Sequence, residues 1–262
     1  MTEQAVEQAV VVDVKNGVGW IRLNRPDRMN AVNGDLRKQL LAALKQVERD
    51  DSVRCVVVTG SGRAFCAGAD VREFGTREGS LEAIRDEYHG ILTRLRGMPK
   101  PVIAAMNGVA AGIGASIAMA CDIRYAVPEA SFVEAFVKIG LTVDGGATWL
   151  LPRLIGTGKA LEMFYTGDPL GAQEAERLGL VNKLVPPEQL EAAAGELADR
   201  LARGPAAALA AIKRSVNRSH MLPFDEALDF EFQLQAVQMM NPDFKEGVSA
   251  FLEKRQPRFG GS

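Results

Sequence analysis

The chain has 262 residues, of which 47% are apolar, 24% charged and 6% aromatic, ordinary values for a soluble globular protein. Lys and Arg number 31 against 33 Asp and Glu, and a net charge of −2 excludes the basic footprint of a nucleic-acid or anionic-membrane binder. Three cysteines without a C-x-x-C pair (Cys55, Cys66, Cys121) and two histidines (His89, His220) exclude a disulfide framework, a thiolate zinc site and a histidine-rich metal centre. That cysteine usage points to a reducing cytoplasm, and the acidic start MTEQAVEQAV does not read as a secretory signal.

Residues 10–14 and 19–23 read as an antiparallel strand pair around 15–17. A helix over 34–49 follows, with Leu36, Leu40, Leu41, Leu44 and Val47 on one face. The run CVVVT (55–59) is apolar on both faces, as a buried parallel strand requires. A loop carrying Gly60, Gly62, Gly68 and Gly75 leads to a charged helix over 81–95. Pro99 and Pro101 end that helix before a strand over 102–106. Residues 102–121 carry no charge and are long enough to span a bilayer. Their glycines and alanines make them only weakly hydrophobic, however, and they divide into strand, Gly-rich turn and short helix. They are a buried soluble element. Strands over 123–126 and 131–133 complete an alternation that implies right-handed crossovers and a mostly parallel sheet, hence an α/β fold. From about Thr148 the pattern is helical (157–165, 172–178, 188–203, 206–219 and 225–240), with one strand-like piece at 181–185. This helical half is expected to pack on the sheet half. Its surplus of large apolar residues, notably Phe224, Phe230, Phe232, Phe251, Met239 and Met240, points to subunit contacts.

Two Gly-rich turns follow strands, where open α/β sheets bind ligands: GSGRAFCAGAD (60–70) and NGVAAGIG (107–114), the latter opening a helix over 115–120. Phe65 and Ile117 occupy the third-glycine positions, so neither turn completes G-x-G-x-x-G. LIGTGK (154–159) fails as a P-loop because Arg153 and Ala160 stand at two of its required positions. Such turns can present backbone N–H groups to a small ligand oxygen, as an oxyanion hole, or they can simply allow tight strand–helix packing. Asp144, in IGLTVDGG (139–146), reads either as the N-cap of a helix beginning near Ala147 or as a carboxyl for proton transfer. In the second reading Ile139, Leu141, Val143 and Trp149 raise its pKa. Ser116 reads as a packed hydroxyl without an obvious partner and His89 as a surface histidine. Arg25, Arg28, Lys254 and Arg255 read as solvated cations that could meet phosphates.

The runs RLNRPDRMNAV (22–32), GRAFCAGADV (62–71), KPVIAAMNGVAAGIGASIAMACD (100–122) and EGVSAFLEKR (246–255) resemble the enoyl-CoA hydratase/isomerase, or crotonase, superfamily, in the family's order and over nearly the whole chain. Within it the chain is most similar to the bacterial ring-1,2-epoxyphenylacetyl-CoA isomerases, through QVERDD (46–51), NGVAAG and GGATWLLPRL (145–154). The resemblance implies a spiral of ββα units over 1–200, and a helical region over 201–262 used in trimerisation and in completing the CoA site. It implies a coenzyme A thioester as substrate, CoA being no separate cofactor. The thioester carbonyl would be held by the N–H groups of Ala69, just after Gly68, and Ile113. By the same resemblance Arg28 and Ala31 lie beside the 3′-phosphate adenosine, and Ala67 and Asp70 along adenine and pantetheine. Phe251 and Lys254 reach in from a neighbouring subunit of a homotrimer or dimer of trimers.

The departures narrow the activity. The two glutamate positions of a crotonase-type hydratase fall on Ser116 and Phe136, whereas Asp144 falls where some isomerases, and the 4-chlorobenzoyl-CoA dehalogenases, have a working aspartate. An acyl-CoA isomerase with Asp144 as the shuttle is therefore expected. The alternatives are an enoyl-CoA hydratase, for which Glu134 would be a substitute base unless it is solvated, a dehalogenase-like enzyme using Asp144 with His89, and a non-catalytic acyl-CoA-binding protein. The acyl pocket would be shaped by residues 74–92 and the C-terminal helices.

Overall fold

A computed structural model describes residues 8–73 and 81–260; the start of the chain, Phe74 and Gly75 lie outside these described residues. Strands β1 (Val10–Lys15) and β2 (Val18–Leu23) form the expected antiparallel pair, turned by Asn16 and Gly17 at φ of 52° and 78°. Helix α1 (Gly34–Arg49) spans the residues expected of it. The Asn33 side chain caps it by accepting from the Leu36 N–H, and Leu36, Leu40, Leu44 and Val47 are buried beneath it. Next come β3 (Cys55–Gly60), β4 (Ala64–Cys66) and α2 (Leu81–Gly97); then β5 (Val102–Met106), β6 (Val109–Ala111) and α3 (Ile113–Ala120); then β7 (Ile123–Ala126), β8 (Ser131–Val133) and α4 (Ala147–Ile155). Each triplet is one turn of a ββα spiral.

The first strand of every turn joins one six-stranded sheet in the order β1-β2-β3-β5-β7-β10, with β10 at Lys183–Leu184. The second strand joins a four-stranded sheet, β4-β6-β8-β9, with β9 at Leu170–Gly171. All pairings are parallel except β1 with β2 and β8 with β9. The mostly parallel sheet expected from the alternation is present. The second sheet is a correction, because strands of two or three residues are too short to show an alternating pattern. The segment 102–121 divides into β5, β6 and α3. Among the described residues no helix is long and apolar enough to cross a membrane.

The remaining helices are α5 (Thr157–Thr166), α6 (Ala172–Arg177), α7 (Leu190–Ala202), α8 (Ala206–Ser219), α9 (Phe224–Met239) and α10 (Pro242–Leu252). The expectation that this half packs on the sheet holds for α7, which lies on β2, β3 and β5 and buries Leu190, Ala194, Leu197 and Ala198. It fails for α8 and α9, which bury no residue completely. Lys213 ties α8 to the core, donating to the carbonyls of Leu95 and Lys100 and pairing with Asp122 at 2.8 Å. Phe224, Phe232, Met240 and Phe251 remain exposed on α9, at its end and on α10.

Candidate active site

Two of the sequence runs meet through Asn30, a residue that sequence reading did not single out. Met29 and Asn30 both adopt left-handed φ angles, 50° and 56°, at the end of a turn that starts with Pro26. This conformation buries the Asn30 amide. The Arg25 N–H donates to its Oδ1 at 2.9 Å, and its Nδ2 donates to the carbonyls of Ala64 at 2.8 Å and Ser61 at 2.9 Å. Ala67 then donates to Met29, Val32 to Gly68 and Asp70 to Val32, so that Val32 and Ala69 form a parallel bridge. In such a bridge the N–H of Ala69 points away from its partner, and it has no acceptor among the described residues.

The second turn is built on Gly112. Its N–H donates to Val133 at 2.8 Å, and its φ of 49° and ψ of −121° turn the chain from β6 into α3. Ile113 is thus the first residue of the helix, two residues earlier than the sequence suggested. Its N–H has no intrahelical partner and adds to the positive end of the helix dipole. The Ile113 side chain is buried beneath Gly145, turned into the protein as an oxyanion donor at this position requires. Gly68, at φ of 95°, permits the two turns to touch, since a Cβ there would lie 2.8 Å from the Ala111 carbonyl.

Asp144 is not the cap of α4. The N-cap is Gly146 and no side chain caps the helix; Asp144 contributes only its backbone carbonyl, to the Ala147 N–H. Gly145, the residue after Asp144, has a φ of 61° and rests against α3. A Cβ on Gly145 would lie 2.7 Å from Ser116 Oγ and 3.1 Å from Ile113 Cδ1. Asp144 is exposed, yet the protein around it partly desolvates its carboxyl. That desolvation raises its pKa, against the opposing effect of His89 on α2. The expected direction is found with a different surrounding. Ile139 and Leu141 are exposed, and the Trp149 ring is engaged by the guanidiniums of Arg96 at 4.5 Å and Arg153 at 4.1 Å.

Ser116 is a fully buried hydroxyl without a hydrogen bond. The Phe136 ring covers Gly112, with Cζ 3.5 Å from the position of a Cβ there. Neither residue is a carboxylate. Glu134 is the main correction: it is not solvated but 0% exposed, and neither carboxyl oxygen has a partner. Burial and the charge of Asp144 push its pKa up to about 9.

The four cations sort themselves by partner. Arg25 is buried, donating to the Ala31 carbonyl and pairing with Asp70 at 3.3 Å, and Arg255 is engaged by Glu246 and Glu253. Arg28 and Lys254 are exposed, with no side-chain partner among the described residues. Asp70 is buried and held by Arg72 and Arg25, which keep its carboxyl well below the usual carboxylate range. Its side chain therefore ties the loop together. Ala31 and Ala67 are half-buried beside Arg28 and Gly68, whereas Phe251 lines a groove of about 750 Å³ formed only by residues 205–259. Burial pushes Cys55, Cys66 and Cys121 up to about 12, so all three thiols are inert. No cluster of His, Cys, Asp and Glu suited to a metal occurs among the described residues.

Two Gly-rich turns thus touch, the N–H groups of Ala69 and Ile113 have no acceptor among the described residues, and Asp144 precedes the glycine that rests on α3. Residues 13–262 fit the family described as Enoyl-CoA hydratase/isomerase. The chain belongs to this family. It is 42% identical to the 1,2-epoxyphenylacetyl-CoA isomerase of Escherichia coli, over 96% of this chain and 98% of that protein. It is 37% identical to the short-chain-enoyl-CoA hydratase of Clostridium acetobutylicum, over 94% and 95%. Among solved structures, the enoyl-CoA hydratase of Bacillus anthracis superposes with a TM-score of 0.91 at 34% identity, covering 97% of this chain and all of that one. The spiral is therefore a crotonase fold, and the chain is a member of an enzyme family with enoyl-CoA hydratase/isomerase activity.

Proposed function

We propose that the chain is an acyl-CoA isomerase, acting on the double bond or ring epoxide of an enoyl- or phenylacetyl-CoA thioester. The N–H groups of Ala69 and Ile113 hold the thioester oxygen and stabilise the enolate. Asp144 takes a proton from one carbon and returns it to another. The enolate oxygen gains charge in the transition state, so two preset donors act where they lower the barrier, each by typically ~3 kcal/mol. One carboxylate suffices, because the proton it removes is the proton it delivers. The observation that carries this reading is that Asp144 caps no helix and precedes Gly145, which rests on Ile113 and Ser116; by the family resemblance, Ser116 and Phe136 stand at the two hydratase glutamate positions.

The CoA moiety, part of the substrate, is gripped by Arg28, Ala31, Ala67, Gly68 and the backbone of Asp70. Phe251 and Lys254 of a neighbouring subunit complete the grip. The spiral over 1–200 is the acyl-CoA-binding core, and 201–262 assembles a homotrimer or dimer of trimers in the cytoplasm, without nucleic acid or membrane. Exposure of Phe232, Met240 and Phe251 supports that assembly. The hydratase reading has one observation in its favour, the buried Glu134, and requires hydration of crotonyl-CoA at a substantial rate.

Asp144→Asn decides the shuttle. Asn keeps the shape but cannot accept a proton, so kcat on a Δ3-enoyl-CoA is expected to fall at least ~10²-fold, with KM little changed. Near-wild-type turnover would remove the mechanism.

A further inference from the structure

The isomerase scheme uses one carboxyl, yet the site is built around two. Glu134 follows β8 directly. It shares the buried face of that strand with Phe132, while Val133 points the other way. Its neighbours on both sides bind the oxyanion turn: the Val133 carbonyl accepts from the Gly112 N–H, and the Phe136 ring lies over Gly112. Asp144 approaches the same segment, 112–116, through Gly145, which rests on Ile113 and Ser116. A fully buried glutamate is almost never left unpaired. Here both oxygens lack a partner in a protein that otherwise satisfies its buried polar groups with few exceptions.

Few other groups bear on the two carboxyls. From α2 come Tyr88, which is buried, and His89, which is exposed and opposes the rise in the pKa of Asp144. From α3 comes only the Ser116 hydroxyl, and Lys138, on the segment after Glu134, is committed to Asp168 at 3.2 Å. Among the described residues no cation therefore compensates Glu134, and the charge it faces is that of Asp144.

We propose that Glu134 is the neutral acid partner of Asp144: it stays protonated while Asp144 is ionised, and its O–H donates to an acceptor oxygen that enters with the acyl ligand. The inference rests on the acyl-CoA reading above and deepens it, because it names a ligand class. A purely hydrocarbon acyl chain leaves the acid unpaired, whereas an acyl group bearing a hydroxyl, ether or epoxide oxygen, or a water that travels with the chain, satisfies it. The two carboxyls take opposite protonation states because their surroundings differ. Asp144 is open to solvent and near His89, while Glu134 is dry and faces a negative charge.

The pH profile of kcat/KM tests this in wild type, Glu134→Gln and Glu134→Met, on a plain Δ3-enoyl-CoA and on one carrying a hydroxyl. Wild type is expected to give a bell, rising as Asp144 ionises and falling near pH 9 as Glu134 ionises. Both variants should keep the rising limb and lose the falling one. Glu134→Met, which cannot donate, should lose at least tenfold near neutral pH. A loss confined to the hydroxylated substrate assigns the acceptor to the acyl group, and an equal loss on both assigns it to water. A falling limb unchanged in both variants overturns the proposal. Should Asp144→Asn retain turnover, the isomerase scheme fails separately, and the state of Glu134 is then read without turnover. The infrared C=O band of a protonated carboxyl must be present in wild type at neutral pH and absent in Glu134→Gln. Its absence from wild type overturns the proposal, whatever the reaction.

Discussion

Individual residues set the direction of each reactive group through backbone angles that few side chains tolerate. Gly68, Gly112 and Gly145 have positive φ; a Cβ on Gly68 or Gly145 would lie within 2.8 Å of the neighbouring turn or helix, whereas at Gly112 the backbone angle alone disfavours a side chain. Glu134 shows the energetic side of such a site. Its folded pKa of about 9 lies far above that of the unfolded chain, so the native state holds a proton that the unfolded state has released. The stability it contributes is fully present below about pH 4.3, the ordinary value for a glutamate, and is lost as pH rises through the folded value near 9. Across that window its contribution falls by about 1.4 kcal/mol per pH unit. Glu134→Met should remove this slope. Urea midpoints of variant and wild type are expected to diverge in the variant's favour as pH rises from 5 to 8. Parallel curves would mean that Glu134 is as solvated folded as unfolded.

Elements contribute through their ends. The N-terminus of α3 offers one donor, Ile113 N–H, backed by the dipole of an eight-residue helix. Because Ile113 is the first helical residue, proline can replace it without breaking the helix, and Gly112, lacking a Cβ, accommodates the ring that follows. Ile113→Pro therefore deletes the N–H while leaving the helix in place, at the cost of a smaller buried side chain. Turnover should fall by ~10²–10³-fold, the scale for one oxyanion donor. Circular dichroism should report a folded protein. Full activity in this variant would place the oxyanion elsewhere. The other donor depends on an element no longer than one bridge, Val32 with Ala69, and so on the Asn30 amide that locks both runs together.

For the molecule as a whole, the division lies between a spiral that buries its own core and three helices that do not. α8 and α9 bury no residue completely in the single chain, while Phe232 and Phe251 are each at least three-quarters exposed. In the proposed assembly other copies of the chain cover this surface, and sedimentation should then give three or six chains per particle. The same assembly would bring Lys254, an exposed cation without a side-chain partner, to the phosphates of a CoA bound next door. Lys254→Ala should weaken CoA binding severalfold at low salt, and the gap should close as ionic strength rises and screens the pair. Equal affinities at low salt would move the CoA site away from α10.

The long elements and the family were legible in the order of the amino acids alone. α1, β5, β7, β8 and α8 fall on the residues expected of them: burial of one face writes a period into α1, burial of both faces makes β5 an unbroken apolar run, and the site turns are marked by glycines whose spacing is local. The family resemblance also implied that Ser116 and Phe136 stand where a hydratase has glutamates. The second sheet, the pairing of the two oxyanion turns through Asn30, and the paired state of Arg25 and Asp70 came only from the tertiary structure. Asp144 could be a cap or a base from its neighbours alone, and Glu134 could be wet or dry. The choice in each case depends on what the chain brings against them from distant positions. Local sequence encodes conformation; desolvation and charge belong to the fold, and they set the surroundings in which these two carboxyls titrate.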